Sequence, residues 1–165
     1  MSDFINEFIA EAHQQLEVAE EHLLLLTKTP TKSLVEGCFR AFHTVKGNSG
    51  FFPVPRIQRL AHACEQVLDA IRVGQVTCDG KHVDELLGSL TVLGQLVDGL
   101  AAAGIEPTGD DSELIASLLA MSRPNLDSDR GSIQAIPRQS SAVERCLSEL
   151  ATVSAGDMGA LIKAM

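Results

Sequence analysis

One stretch of the sequence places a histidine, a lysine and two glycines at helical spacing, in the run His43-Thr-Val-Lys46-Gly47-Asn-Ser-Gly50. With about 3.6 residues per turn, these four positions lie on one face of a helix. Because glycine has no side chain, Gly47 and Gly50 leave that face open to close approach by another surface. A neutral imidazole, whose ordinary pKa is about 6.5, can act as a nucleophile at pH 7. We therefore expect nucleophilic chemistry at His43, with Lys46 one turn away to pair with the oxygens of a bound phosphoryl group.

The third predicted helix offers a carboxylate that could hold the second ring nitrogen of this histidine. His62 and Glu65 are three residues apart and therefore share one face of that helix. Glu65 directly follows Cys64, which belongs to the row of apolar residues along the third helix. In the same way, His43 directly follows Phe42, which belongs to the apolar row of the second helix. Adjacent antiparallel helices would bring these two flanks together. An acceptor on one ring nitrogen fixes the tautomer and leaves the other nitrogen free to react.

The aromatic pair that follows the motif has two interpretations. Phe51 and Phe52 either pack in the core and the loop, or stand exposed where they would serve a binding partner. The other histidines, His13, His22 and His82, lack a patterned partner and are predicted to be surface residues.

These residues must be positioned by helices, because apolar residues recur every three or four positions along four long segments and one short one. The apolar stripes lie within residues 5–26, 34–49, 57–71, 83–100 and 114–119. The second helix is expected to start at Thr31 or at Ser33, where Glu36 would complete a capping box. Pro55 fits the first turn of the third helix, and Gly74 fits its C-terminal cap.

No segment shows the sustained alternation of apolar and polar residues that strands show. Four long amphipathic helices joined by short loops predict an all-α fold, namely an antiparallel four-helix bundle. A short fifth helix is predicted over about Ser112 to Met121. Each helix alone would be marginally stable, so mutual burial of the apolar stripes must stabilise the bundle.

Charge and composition divide the 165-residue chain into two parts. The chain carries 22 acidic and 13 basic residues, for a net charge of −9. Residues 1–122 hold 17 of the acidic and 8 of the basic residues, whereas residues 123–165 hold five of each. We predict a helical bundle over 1–122 and a linker or tail over 123–165, partly helical or disordered. The acidic balance and the aromatic content of 4% disfavour nucleic acid as a partner, since phosphate binding needs a basic face.

The sequence favours a cytoplasmic protein that does not bind a membrane. Its uninterrupted apolar runs are much shorter than the roughly 18–20 residues of a membrane span. Its acidic N-terminus is unlike a signal peptide. Its cysteines show no CxxC spacing, so we expect reduced thiols rather than disulfides or metal ligands at Cys38, Cys64, Cys78 and Cys146.

The run from His43 to Phe52 resembles the phosphorylation motif of histidine-containing phosphotransfer (HPt) domains. The closest subgroup lies at the N-terminus of chemotaxis-type, CheA-like histidine kinases. The first and third helices of that family are similar to residues 4–26 and 60–65, and the resemblance covers about residues 3–105. The chain departs from the family at Pro53, where family members commonly have glycine directly after the aromatic pair.

The resemblance implies a role for each residue of the motif. It implies that His43 accepts a phosphoryl group, that Lys46 lies beside it and that Glu65 bonds the imidazole. It also implies that Gly47 leaves room for the partner and that His62 lies near the site. The implied donor is the ATP-binding domain of a histidine kinase or the aspartyl-phosphate of a receiver domain. The implied acceptor is the aspartate of a response-regulator receiver, in a two-component phosphorelay.

No glycine-rich phosphate loop with a P-loop lysine is present, and only 43 residues follow residue 122. We therefore expect a phosphotransfer module that lacks its own ATP-binding site, and we expect no cofactor or metal. The resemblance implies that it is monomeric as an isolated domain. The resemblance and the linker-like tail point to a fragment of a histidine kinase, with a free-standing carrier as the alternative.

Two other classes of function stay open from the residues alone. A metal-binding bundle would use His43, His62 and Glu65, although the chain lacks the Glu-x-x-His pairs of bundle di-metal sites. A purely structural or docking bundle would need no chemistry, but it gives no reason for two glycines beside His43.

Overall fold

The computed structural model describes residues 2–124, and within that range it contains five α-helices and no strand. The helices are α1 (Ser2–Leu26), α2 (Lys32–Ser49), α3 (Pro55–Arg72), α4 (Gly80–Ala103) and α5 (Ser112–Met121). The all-α prediction of four long helices and a short fifth is therefore confirmed. Almost all of the predicted tail, with Cys146 in it, lies outside the described residues, so the division at residue 122 stays a prediction.

The four long helices form a bundle in which each helix has two neighbours. α2 packs between α1 and α3, and α4 closes the bundle by packing against the same two helices. The short loops between consecutive helices make these neighbours antiparallel. α5 packs on α3 and α4. This arrangement makes α2 and α3 direct neighbours, as the predicted site requires.

The core is built from the predicted apolar stripes of all four long helices. Leu23, Phe42, Leu60 and Leu86 are completely buried, one from each helix in turn. The start of the first stripe differs from the prediction, because Phe8 is buried whereas Ile5 and Ile9 are only partly buried and pack at the edge. In α5 the only buried residue is Leu118, which fixes this short helix to the bundle.

The ends of α2 and α3 follow from local chemistry. α2 begins after Thr31, whose hydroxyl accepts a hydrogen bond from the Leu34 backbone N–H at 3.4 Å, so the expected Ser33 capping box is not formed. α3 begins with Pro55, as predicted. Gly74 follows the end of α3 with a φ of 77°, and the next residue donates its N–H to the Ala70 carbonyl at 2.9 Å. This is the glycine-dependent Schellman ending.

A clamp that the sequence did not reveal joins the α4–α5 loop to the start of α3. The Arg56 guanidinium donates to both carboxylate oxygens of Asp111, at 2.7 and 2.8 Å, and to the Pro107 carbonyl at 2.7 Å. Glu106 accepts from the backbone N–H groups of Arg56 and Ile57, at 3.0 and 2.7 Å. These bonds satisfy amides that the first turn of a helix leaves unpaired, and they hold α3 in place.

α4 is long and apolar enough to cross a membrane, but in this fold it is a core helix of the bundle. Its residues Leu86, Leu93 and Val97 are completely buried in the bundle. The helix begins with a capping box between Asp79 and His82.

Of the three histidines predicted to be surface residues, His82 is buried, whereas His13 and His22 are partly exposed. His82 is 8% exposed because its ring turns back to cap α4. His22 is half-buried against the backbone at Gly37, where its ring fills the space that a Cβ would need. His13 lies at the surface edge, with its Nε2 3.3 Å from Asp98.

Candidate functional site

The predicted site lies where the buried faces of α2 and α3 meet their exposed faces. Phe42 and Val45 are buried and fix the rotation of α2, so their neighbours His43 and Lys46 lie at the edge of the bundle. On α3, the buried thiol of Cys64 plays the same part for Glu65. Because α2 and α3 pack directly together, the two edges meet.

The three predicted polar side chains are in contact. The His43 Nδ1 lies 2.9 Å from Oε1 of Glu65. The Lys46 Nζ lies 3.1 Å from the same oxygen and 2.9 Å from Oε2. One carboxylate on α3 therefore binds both polar side chains of α2.

These contacts fix which ring nitrogen is free. A carboxylate can only accept, so the His43 Nδ1–H donates to Glu65 and the lone pair of the neutral ring is on Nε2. The His43 side chain is 58% exposed, whereas the Glu65 side chain is only 13% exposed. The carboxylate is therefore largely enclosed between α2 and α3, whereas most of the imidazole side chain is exposed.

The electrostatics keep Glu65 ionised. Burial by itself raises the pKa of this carboxyl, but the hydrogen bonds from His43 and Lys46 and the positive charge of Lys46 outweigh it and lower the pKa below its ordinary value. An ionised Glu65 can stabilise positive charge on the imidazole ring when Nε2 forms a bond.

The two glycines of the motif differ in their surroundings. A Cβ added at Gly47 would meet nothing within 4 Å, so the surface there is open next to the histidine. Gly50 is the C-cap of α2, just beyond the helix, and an added Cβ would lie 3.3 Å from the Gln58 side chain.

The aromatic pair after the motif is split between the two predicted environments. Phe51 is 85% exposed, whereas the ring of Phe52 packs on that of Phe8 with centroids 5.0 Å apart. The turn continues to Pro53, where the Val54 N–H bonds to the Phe52 carbonyl at 2.8 Å. The proline that replaces the glycine of the family is thus accommodated in this turn.

His62 is not brought into the polar cluster. It lies one turn before Glu65 on α3 and is exposed, and its Nε2 lies 3.3 Å from the amide nitrogen of Gln66. It makes no hydrogen bond to His43 or Lys46.

Two residues next to His43 were not predicted as part of the site. The ring of Phe39, one turn earlier on α2, is stacked with the imidazole. The Arg72 guanidinium, at the end of α3, covers that phenyl ring. The spacing of four residues between Phe39 and His43 was a usable signal, because such residues are neighbours on a helix.

The metal-binding alternative finds no support in the part of the chain that the structure describes. No group of three or more metal-ligating side chains comes together among residues 2–124. At the predicted ligands, the ammonium group of Lys46 already lies beside both oxygens of Glu65 and would repel a metal cation.

Comparison with known proteins agrees with this geometry. A family model described as "Hpt domain" matches residues 3–103, well over half of the chain. The chain belongs to the Hpt domain family. This membership confirms the predicted family, and with it the predicted function class, phosphotransfer in two-component signalling.

The Hpt domain is similar to much longer chemotaxis proteins. It is 37% identical over 118 residues to "Chemotaxis protein CheA" of Treponema pallidum, covering 70% of this chain and 14% of that protein. It is 37% identical over 119 residues to the Bacillus subtilis protein of the same name, covering 72% of this chain and 18% of that protein. The chain thus spans less than a fifth of the length of these relatives.

Solved structures show the same fold. The phosphorylated P1 domain of CheA3 from R. sphaeroides, in complex with CheY6, matches 74% of this chain with a TM-score of 0.69, 29% identity and 97% coverage of that chain. A solution structure of the histidine phosphotransfer domain of CheA matches 73% of this chain and 91% of its own, with a TM-score of 0.66. That second likeness, at 24% identity, shows the fold alone.

Proposed function

We propose that His43 is the phospho-accepting residue of this Hpt domain and that it reacts at Nε2. The observation that carries the proposal is the contact between the His43 Nδ1 and Glu65, which leaves Nε2 free on an exposed ring. Imidazole nitrogen is a nucleophile when it is neutral, and this arrangement holds the ring in a single tautomer.

The proposed step conserves every atom and charge. The Nε2 lone pair bonds to the γ-phosphorus of ATP, and the bond from that phosphorus to the bridging oxygen breaks, so ADP leaves with the electron pair. The ring keeps its Nδ1 proton and becomes positively charged, facing the Glu65 carboxylate 2.9 Å away. In onward transfer, a receiver carboxylate oxygen attacks the phosphorus and the Nε2–P bond breaks, which restores the neutral ring.

The surrounding residues support this step in different ways. The Lys46 ammonium, a point charge beside the site, can pair with phosphoryl oxygens once the group is attached. Gly47 leaves the space that a partner needs to approach His43 closely. Gly50 lies at the C-cap of α2, after Gly47. The exposed ring of Phe51 offers an apolar contact for the same partner.

We propose two kinds of partner for this surface. The first is the ATP-binding domain of a histidine kinase, consistent with the CheA relatives. The second is a response-regulator receiver, which the complex of a related phosphorylated P1 domain with CheY6 supports. Both partners imply a cytoplasmic location.

We expect His62 to be dispensable for phosphoryl transfer because it lies outside the polar cluster of His43, Lys46 and Glu65.

The test is phosphorylation of the whole chain by ATP and the catalytic domains of a CheA-type kinase, with potassium phosphoramidate as a second donor. The expected product is an acid-labile, base-stable phosphohistidine that His43→Gln abolishes while helicity is unchanged. The control variant His13→Gln alters a histidine at the edge of α1 and should be labelled like the wild type. Labelling that survives His43→Gln would overturn the assignment.

A further inference from the structure

The His43 ring is bounded on one side by an aromatic ring from its own helix. The centroids of the Phe39 and His43 rings are 5.8 Å apart, with an angle of 21° between their planes. Helical side chains lean towards the N-terminus, so a residue covers the one four positions before it. The stack therefore follows directly from the spacing of these two residues on α2.

The Phe39 ring is itself held from the neighbouring helix. The central carbon of the Arg72 guanidinium lies 4.4 Å from the centroid of the phenyl ring, within cation–π range. Arg72 is fixed in turn by Asp69, with Nη2–Oδ1 at 2.6 Å, and lies 3.8 Å from Glu36 of α2. The half-buried Phe39 is thus clamped between α3 and the imidazole.

The polar contacts alone do not fix the imidazole. The His43 side chain is more than half exposed, and one hydrogen bond to Glu65 restrains one edge of its ring. On a helix two of the three staggered wells of the first side-chain torsion are commonly occupied, and with a broad, roughly twofold second torsion they would allow about four orientations of a free ring. The phenyl ring of Phe39, stacked beside the imidazole, excludes those orientations in which the imidazole would occupy the same space.

We propose that Phe39, held by Arg72, is a positioning residue for phosphoryl transfer that keeps Nε2 of His43 directed outward. The inference rests on the proposed function of His43 and deepens it. Phe39 does not touch the transferred group. It acts by raising the fraction of time in which the ring is in the reactive orientation.

The test measures both rate and ring orientation in the whole chain, with potassium phosphoramidate as the donor so that partner docking does not contribute. Phe39→Leu keeps an apolar side chain but removes the flat ring, and should slow labelling of His43 by about two- to fourfold, from the four orientations above. Phe39→Tyr should restore the wild-type rate. The His43 Hα–Hβ couplings should report one rotamer in the wild type and averaging in Phe39→Leu.

Two further variants separate positioning from general destabilisation. Phe8→Leu removes the other aromatic pair, which does not touch His43, and should change neither rate nor couplings. Arg72→Gln should slow labelling less than Phe39→Leu does, and adding it to Phe39→Leu should slow labelling no further because Arg72 acts through the ring.

A wild-type rate and a single rotamer in Phe39→Leu, with His43 labelled normally, would overturn this inference and leave the proposed function intact. Absence of His43 labelling in the wild type would overturn both. If Phe39→Leu does not fold, Arg72→Gln decides. An unchanged labelling rate and unchanged His43 couplings in that variant would contradict the proposal that Arg72 holds Phe39 against the imidazole.

Discussion

The change Glu65→Gln isolates the charge of the carboxylate that faces His43. Glutamine has the same shape, and its amide oxygen can still accept the Nδ1–H bond that Glu65 accepts at 2.9 Å. What it removes is the negative charge opposite the ring and, with it, the ion pair to Lys46 at 2.9 Å. Because the ring becomes positive only as Nε2 bonds to phosphorus, the variant should lose stabilisation mainly in the reaction and little in the resting state.

The size of the loss follows from the geometry. A hydrogen bond to a charged group is worth about 1.5–3 kcal/mol and a neutral one about 0.5–1.5 kcal/mol. The difference is about 1–1.5 kcal/mol, and the 58% exposure of the His43 side chain argues for the lower end because solvent screens the charge. About 1 kcal/mol corresponds to a rate roughly fivefold slower.

The assay is the initial rate of phosphohistidine formation with potassium phosphoramidate at pH 7, followed by ³¹P NMR. Glu65→Ala removes the hydrogen bond as well and should be slower than Glu65→Gln. Glu85→Gln, the same exchange on α4, should react like the wild type. Equal rates for Glu65→Gln and the wild type would refute the idea that this carboxylate stabilises charge on the ring.

Three further predictions address the partner surface, the clamp and the core. Gly47→Gln should raise the free energy of unfolding by about 0.5–1 kcal/mol yet slow transfer from a phosphorylated receiver, leaving phosphoramidate labelling unchanged. The matched variant Gly88→Gln, at an equally open site on α4, should also raise the free energy of unfolding but should not slow transfer from the receiver. Equal slowing by both variants would contradict the proposed partner surface. Arg56→Met should lower the free energy of unfolding by about 1–3 kcal/mol in urea titrations, because it leaves Asp111, 9% exposed, without its partner; a loss below about 0.5 kcal/mol would show the clamp to be weak. Burial raises the pKa of Cys64 to about 12, so its thiol stays protonated at pH 8 and iodoacetamide should modify it only after unfolding; mass spectrometry showing rapid modification of the native protein would contradict this.

Features that depend on periodicity were predictable from the sequence. The apolar stripes fixed which face of each helix is buried, and therefore placed His43 and Glu65 at the edges of neighbouring helices. Gly74, predicted to cap the third helix, adopts the positive φ that helix ends favour, 77°. The apolar stripes place His43, Lys46 and Glu65 at the edges of their helices, and the short loop between α2 and α3 makes these two helices neighbours. Together the two features bring the three side chains into contact.

Features that depend on pairs distant in sequence were not predictable. Arg56 and Asp111 are 55 residues apart, and no local pattern indicates their contact. His82 was misjudged because the usual capping box carries Glu or Gln at its position, whereas here an imidazole caps the helix. The Arg72–Phe39 contact, like that of Arg56 with Asp111, joins residues far apart in the sequence. Only the packed structure shows which residue of α3 covers the phenyl ring.

The most direct test of the central claim is the position of the phosphoryl group on the ring. Two-bond ¹H–¹⁵N correlation spectra of the ¹⁵N-labelled chain distinguish the two ring nitrogens before and after phosphorylation. We predict the tautomer protonated at Nδ1 in the resting His43 and a single product phosphorylated at Nε2. A product phosphorylated at Nδ1, or on any other histidine, would contradict the assignment.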